Sequence, residues 1–195
     1  MPLNRKWHFY LKFNYMKKLL IALGIIFTSI FTISCFSDDT KSVLKNDFAS
    51  FPESVKMYFY VEKYSNEYHI PKNIAYAIPY YESGYRGPAD TTYNPKNKIS
   101  KSKAYGAMQL KRKTAEFIAD TVVTKQDLLN NTELNVKLSY KLLDHLHKKY
   151  GNWKLAVGAY NTGKPVVNKY VNKVIKFRHE KIITKNGYLL AYAIK

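Results

Sequence analysis

The sequence predicts a mainly α-helical fold, a single compact helical domain with a long loop or a small hairpin on one side. Apolar residues recur at helical spacing through most of the chain after residue 51. The one long interruption, residues 84–105, is rich in Gly, Pro, Asn, Ser and Lys, a composition typical of a loop. A length of 195 residues, with 46% hydrophobic and 24% charged residues, suits one globular domain with appendages.

Two helices are predicted before this loop. The first has an apolar stripe at helical spacing that consists of Met57, Val61, Tyr64 and Tyr68. Pro71 suits the first position of the second helix, because a proline there gives up no internal hydrogen bond. Pro79 lies inside the second helix and lacks a backbone donor, so we expect it to bend or end that helix.

The part of the chain after the loop is also predicted to be helical. One helix is expected to begin near Lys113, and a longer one at Thr132 with Gly151 just past its end. The longer helix has one apolar stripe, made of Leu134, Leu138, Leu142, Leu146 and Tyr150.

Two shorter helices complete the predicted domain. Asn152 is expected to cap a helix that runs through Tyr160 and is closed by Gly163. The last helix is predicted over residues 165–177. An Asn-Gly pair at 186–187 between apolar residues indicates a hairpin turn after it.

The first 50 residues are interpreted as an export and attachment segment. Residues 16–34 begin with two lysines, continue as a short apolar run, and resemble a secretory signal peptide. The segment Thr32-Ile33-Ser34-Cys35 contains the one cysteine and resembles the box at which bacterial lipoproteins are cut and lipidated, the alternatives being an uncleaved anchor or a buried cysteine. We therefore expect an exported lipoprotein of the bacterial cell envelope that is anchored to a membrane through lipidated Cys35. Residues 1–15 are then an unused upstream start and residues 35–50 a tether, before a domain over 51–180 and an extension over 181–195.

The chain is strongly basic. Its 32 Lys and Arg residues against 14 Asp and Glu residues give a formal charge of +18. Five of the basic residues precede Cys35, and the rest of the chain carries +13. A surplus of this size favours polyanionic partners: nucleic acid, anionic lipid or an acidic cell-wall polymer. The export signal argues against nucleic acid, so a wall or lipid surface is the expected partner.

Several kinds of site are excluded by the sequence. No Gly-rich segment has the spacing of a phosphate-binding loop. A single cysteine excludes a disulfide framework and a Cys-based zinc site. His145 and His147 are two positions apart on a predicted helix, so they point to different sides and do not form a shared metal site. None of these patterns indicates a metal or an organic cofactor.

Glu82 is the strongest candidate for chemistry. It lies where an apolar helix ends and a polar loop begins, a setting that is expected to bury half of the carboxyl group. Burial disfavours the charged form and raises the pKa of a carboxyl group, so this glutamate is expected to donate a proton near neutral pH.

Four segments occur in an order that is found in one family. They are IAYAI through ESGY at 74–85, GAMQL at 106–110, a run from Asn135 that ends in YGN at 150–152, and AYNTG at 159–163. Together they resemble the catalytic domain of lytic transglycosylases of the soluble-transglycosylase (SLT) type, over about residues 60–175. The chain departs from that pattern at Pro79, at Ala107, where Leu is common, and in a longer spacer between the first two segments that covers residues 86–105.

The resemblance implies a lysozyme-like fold and a cleft beside the loop or hairpin. It also implies cleavage of the β-1,4 bond between N-acetylmuramic acid and N-acetylglucosamine in the glycan strands of peptidoglycan. Glu82 would act first as an acid and then as a base. The hydroxymethyl oxygen of the muramic acid would attack, giving a 1,6-anhydro product.

The same resemblance implies five substrate-binding residues. Ser83 is expected either to orient the catalytic glutamate or to cap the end of its helix. Met108 and Gln109 are expected to line the cleft, Gln109 through amide hydrogen bonds to sugar. Tyr160 and Asn161 are expected to face the catalytic glutamate.

Two other functions stay open. A hydrolase of the same fold, a true lysozyme, would need a positioned water and a second carboxyl group, for which Asp90 is the nearby candidate. A non-catalytic wall-binding lipoprotein would keep the fold without the chemistry, although an intact Glu82 argues against it.

Overall fold

The computed structural model describes residues 48–180 and residue 182. The chain divides into two compact units, residues 1–51 with 194–195 and residues 52–193. Of the first unit the structure describes residues 48–51, where the rings of Phe48 and Phe51 are 5.7 Å apart. All other described residues belong to the second unit.

Some of the predictions lie outside the described residues. They are the signal peptide over 16–34, the lipidated Cys35, the unused upstream start over 1–15, most of the tether over 35–50, the extension over 181–195 apart from residue 182, and the Asn-Gly turn at 186–187. These remain predictions, and the mass of the N-terminal peptide of the mature protein would test the first two.

Helices make up most of the second unit. They are α1 (Glu53–Glu67), α2 (Lys72–Ser83), α3 (Arg112–Ala119), α4 (Lys125–Asn130), α5 (Thr132–Tyr150), α6 (Trp153–Thr162) and α7 (Lys169–Ile175). Two short strands, β1 (Ala104–Tyr105) and β2 (Leu110–Lys111), pair antiparallel as a small hairpin. The predicted mainly helical fold with a small hairpin is confirmed. Within residues 48–180, no helix combines the length and the hydropathy needed to cross a bilayer.

Helix α5 separates two apolar cores. One side of it contributes Val136, Tyr140 and Leu143 to the main core, which also takes in residues of α1, α2, α6 and α7. The predicted leucine stripe faces the second core, where Leu138 and Leu142 pack with residues of α3, α4 and β2. The long helix therefore places the hairpin and the helix that follows it on one side, and α2 and α7 on the other.

Pro79 does not end α2, which continues for four residues to Ser83. An ordinary residue at this position would donate its N–H to the carbonyl of Ala75, one turn earlier. That carbonyl instead accepts a hydrogen bond of 2.8 Å from the hydroxyl of Tyr140 on α5. Both Ala75 and Tyr140 are fully buried. The expected end of the helix is absent because a neighbouring helix supplies the donor that proline lacks.

We expect Tyr140→Phe to lower the free energy of unfolding by about 1–3 kcal/mol, because it leaves the buried carbonyl of Ala75 without a donor. Urea unfolding measures this loss, with Tyr150→Phe at the end of the same helix as the control. Pro79→Ala restores a backbone donor, so in that background Tyr140→Phe should cost much less. Equal losses in the two backgrounds would contradict this account of the proline.

Helix α4 was not anticipated, although its start carries a local signal. Thr124 and Asp127 form a capping box, in which Asp127 donates its N–H to Thr124 Oγ1 at 3.1 Å and Thr124 donates its N–H to Asp127 Oδ2 at 2.8 Å. The helix has six residues, too few for an apolar period to be recognised.

Helix α7 begins at Lys169 rather than near residue 165. Residues 164–168, here called the strap, pass over α6 where a Cβ on Gly158 would lie 2.0 Å from the carbonyl oxygen of Val166. So close an approach of two backbones requires glycine. Asn168 then caps α7, its Oδ1 accepting the N–H of Val171 at 3.0 Å.

Candidate active site

Glu82 is half-buried in the last turn of α2. The helix ends at Gly84, which has a left-handed φ of 81° that glycine adopts without strain. Burial raises the pKa of Glu82 above its usual range. The carbonyl end of a helix carries partial negative charge, which also disfavours an ionised carboxyl in the last turn. The end of α2 therefore carries a half-buried carboxyl group with a raised pKa, as expected.

Tyr170, in the first turn of α7, donates its hydroxyl hydrogen to Glu82 Oε1 at 2.7 Å. This bond lowers the pKa of Glu82, but by less than burial raises it. Burial and the nearby carboxylate raise the pKa of Tyr170, so its hydroxyl remains a donor. Among the described residues nothing bonds to Glu82 Oε2, so one carboxyl oxygen is held while the other can carry a proton.

Sequence reasoning missed Tyr170. The residue is 88 positions from Glu82, and none of the four recognised segments contains it. One tyrosine among 18 carries no mark of its own in the sequence. The packing of α7 against α2 brings the two side chains together.

Ser83 points into the protein. It is buried, and its hydroxyl donates to the carbonyl of Pro79 at 3.1 Å and lies 2.8 Å from the hydroxyl of Tyr93. The ring of Tyr93 packs on Tyr85, with centroids 5.1 Å apart. Ser83 thus joins the end of α2 to the long loop, which corresponds to the helix-end role expected for it.

Asn135 holds the segment between β1 and β2 in place. Its Oδ1 accepts the N–H of Met108 at 2.9 Å, and its Nδ2 donates to the carbonyls of Tyr105 at 2.9 Å and Leu128 at 3.2 Å. A Cβ on Gly106 would lie 2.4 Å from the Leu128 carbonyl oxygen, so only glycine fits there. The Gly-Ala-Met-Gln segment is therefore tied to α4 and α5 by one buried amide.

Met108 and Gln109, which were expected to line the cleft, mainly stabilise this segment. The side chain of Met108 is fully buried in the main core, and its carbonyl accepts a hydrogen bond of 2.7 Å from the hydroxyl of Tyr160. Gln109 donates from Nε2 to the carbonyls of Lys98 at 3.1 Å and Gly106 at 2.9 Å. The structure thus places Met108 in the core rather than in the cleft, and uses the amide nitrogen of Gln109 to shape the loop.

Tyr160 and Asn161 lie in different environments in the structure. Tyr160 is half-buried on α6, and the charge of Glu82 adds to burial in raising its pKa, so the two side chains interact electrostatically. Asn161 is exposed, and its Oδ1 lies 3.4 Å from Nδ2 of Asn168 at the end of the strap. The site therefore pairs Glu82 directly with Tyr170, and the charge of Glu82 contributes to the raised pKa of Tyr160.

The other candidate residues make contacts of their own, and Asp90 lines a groove together with Tyr80 and Tyr81. His147 stacks on Trp153 with ring centroids 3.9 Å apart, and His145 packs edge-on against Phe117. Asp90 accepts a hydrogen bond of 2.7 Å from the Thr92 hydroxyl. Within the part of the chain that the structure describes, no group of three His, Cys, Asp or Glu side chains could hold a metal ion.

Comparison with known proteins identifies a family. The model of the transglycosylase SLT domain family matches residues 59–183, well over half of the chain. The match includes Glu82, Tyr160 and Tyr170. A comparison with curated proteins found no match. At the level of the family, an SLT domain indicates lytic-transglycosylase-type cleavage of peptidoglycan. The chain belongs to the transglycosylase SLT domain family.

Proposed function

We propose that the chain is a lytic transglycosylase that cleaves the β-1,4 bond between N-acetylmuramic acid and N-acetylglucosamine without using water. The observation that carries the proposal is the Glu82 carboxyl, which is half-buried and held at Oε1 by the hydroxyl of Tyr170 at 2.7 Å. Among the described residues, no second carboxylate shares a hydrogen bond with it. A two-carboxylate glycosidase would place a partner ~5–10 Å from the acid.

In this proposal Glu82 carries out both proton transfers. Its protonated Oε2 gives the proton to the glycosidic oxygen as the bond from C1 to that oxygen breaks, and positive charge develops on the muramic acid ring. The C6 hydroxyl oxygen of the same sugar then bonds to C1, and its proton passes to Glu82. Tyr170 donates to Oε1 in both protonation states, so it fixes the carboxyl without consuming the proton.

Product analysis tests the proposal. Purified peptidoglycan digested by the chain should give fragments that end in 1,6-anhydromuramic acid, each lighter by one water than a reducing-end fragment. Asp90→Asn should keep most of the activity, because the proposed reaction needs no second carboxylate and Asp90 accepts a hydrogen bond from Thr92. Reducing-end products with a loss of about a hundredfold or more in Asp90→Asn would indicate a hydrolase instead. Binding without any cleavage would indicate a wall-binding protein.

Tyr170→Phe should change the pH profile of cleavage as well as the rate. Loss of the phenol donor destabilises the ionised carboxyl and raises the pKa of Glu82 further, so the alkaline fall in activity moves to higher pH. The plateau rate should fall about tenfold to a hundredfold because Oε1 is no longer held. Steady-state kcat/KM across pH measures both effects, with Tyr150→Phe as the control. A lower plateau with an unmoved alkaline limb would show that Tyr170 is only structural.

A further inference from the structure

A basic groove runs along α7 beside the candidate active site. One wall is α7 and the residues that follow it, and the other is the end of α2 with the loop after it. The groove encloses about 1270 Å³. That exceeds the ~300–1,000 Å³ of a typical small-molecule pocket, so it suits a segment of a polymer.

Cations outnumber Asp90, the acidic side chain in the lining of the groove, and three of them lie on or just after α7. Lys169, Lys173 and Lys176 all line the groove, at positions i, i+4 and i+7. Within the described part of the chain, none of the three has a carboxylate within 4.0 Å, whereas Lys72 pairs with Glu62 at 2.9 Å. Like charges at this spacing weaken a helix, and an anionic ligand would remove that cost.

Aromatic rings form the opposite wall. Tyr80 and Tyr81 each pack against Phe177, with ring centroids 5.0 Å and 5.9 Å apart. Two of the cations lie over these rings: Arg86 is 4.3 Å from the centroid of Tyr80, and Lys173 is 5.9 Å from that of Tyr81. Cation–π contacts of this kind hold the charged groups in place over the aromatic rings. The same ring surface can also contact methyl groups of a ligand.

The groove adjoins the site of Glu82 through Tyr81, which lines the groove. The ring of Tyr81 lies 6.1 Å from that of Tyr170, the residue that holds the Glu82 carboxyl. A ligand at the Tyr81 end of the groove would therefore lie near the sugar that would be cleaved. Peptidoglycan carries such a group, because the lactyl ether of each muramic acid bears a peptide with free carboxylates.

We propose that the basic groove binds the carboxylates of the peptide that branches from the muramic acid, so that the chain prefers glycan strands that carry these peptides. The inference rests on the proposed function and adds a substrate preference to it. Lys169, Lys173 and Lys176 supply the charge, and the ring wall receives the apolar side chains of the peptide.

The test compares three substrates: glycan strands with their peptides, strands from which an amidase has removed the peptides, and strands whose peptide carboxylates have been amidated. The full chain should cleave the first with about tenfold lower KM than the other two, as expected for three screened charge pairs. A variant with Lys169, Lys173 and Lys176 all changed to Gln should lose this preference and leave cleavage of peptide-free strands unchanged. Added salt should reduce the difference in KM between the peptide-bearing strands and the other two substrates.

The matched control changes Lys137, Lys141 and Lys154 to Gln, which removes the same charge from exposed positions outside the groove. A preference that persists in the groove variant, or falls equally in the control, would overturn the proposal. The proposal would also be overturned if binding to phosphatidylglycerol vesicles depended on the groove lysines while the preference for peptide-bearing strands did not. If the chain cleaves no substrate, sedimentation of Glu82→Gln with the three substrates tests the groove independently of the reaction.

Discussion

Glu82→Gln should reduce peptidoglycan cleavage by about a thousandfold or more, because one side chain supplies both the acid and the base. Glutamine matches glutamate in size and cannot release a proton to the glycosidic oxygen. Tyr170 can still donate to the amide oxygen, so the geometry around position 82 should be kept. Release of soluble fragments from purified peptidoglycan measures the loss.

The same variant should be at least as stable as the parent near neutral pH. Burial raises the pKa of Glu82 in the folded chain above its unfolded value, so the folded state holds the proton more tightly. The parent therefore loses stability as pH rises from the unfolded pKa through the folded pKa, and Gln does not. Melting temperatures at about pH 4 and about pH 8 should show the advantage of Glu82→Gln growing with pH.

Glu67→Gln is the matched control, since Glu67 is exposed at the end of α1. Glu53 and Glu62 are less suitable, because each binds a lysine and a hydroxyl group. Activity of Glu82→Gln within a few-fold of the parent would exclude Glu82 as the catalyst. A large drop in its melting temperature at neutral pH would indicate that the site depends on an ionised carboxyl.

Local signals in the sequence predicted most of the helical framework. Helix α5 begins at Thr132 and ends before Gly151 as its stripe and terminal glycine indicated, and α6 has the predicted caps at Asn152 and Gly163. Glu82 was also found locally, because the end of an apolar helix beside a polar loop is visible in a short window. These features depend on spacing and capping within a few residues.

Features that depend on contacts distant in sequence were not predictable. The hydroxyl of Tyr140 that fills the hydrogen-bonding gap at Pro79 comes from another helix, 65 residues from the carbonyl it binds. The pairing of Tyr170 with Glu82 joins two helices across 88 positions of sequence, and α7 begins later than the sequence indicates. The buried position of Met108 likewise depends on the amide of Asn135. No local pattern specifies any of these partners.

Asn135→Ala should be the most destabilising single substitution near the site. It removes one side chain that binds three backbone groups, the N–H of Met108 and the carbonyls of Tyr105 and Leu128. Each buried group left unpaired costs about 1–3 kcal/mol, so the free energy of unfolding should fall by about 3–5 kcal/mol. That is a large share of the ~5–15 kcal/mol that holds a typical domain folded.

The Asn135→Ala substitution should also reduce activity at the active site. The carbonyl of Met108 accepts the hydroxyl of Tyr160, so a loosened hairpin segment releases the tyrosine that interacts with Glu82. Activity per folded molecule, measured at low temperature with the folded fraction taken from urea unfolding, should therefore fall as well. Asn130→Ala removes an exposed amide on α4 and should change stability by less than about 0.5 kcal/mol. A loss in Asn135→Ala no larger than in this control would mean that the three backbone groups find other partners, and the buried amide would then not be what holds the segment.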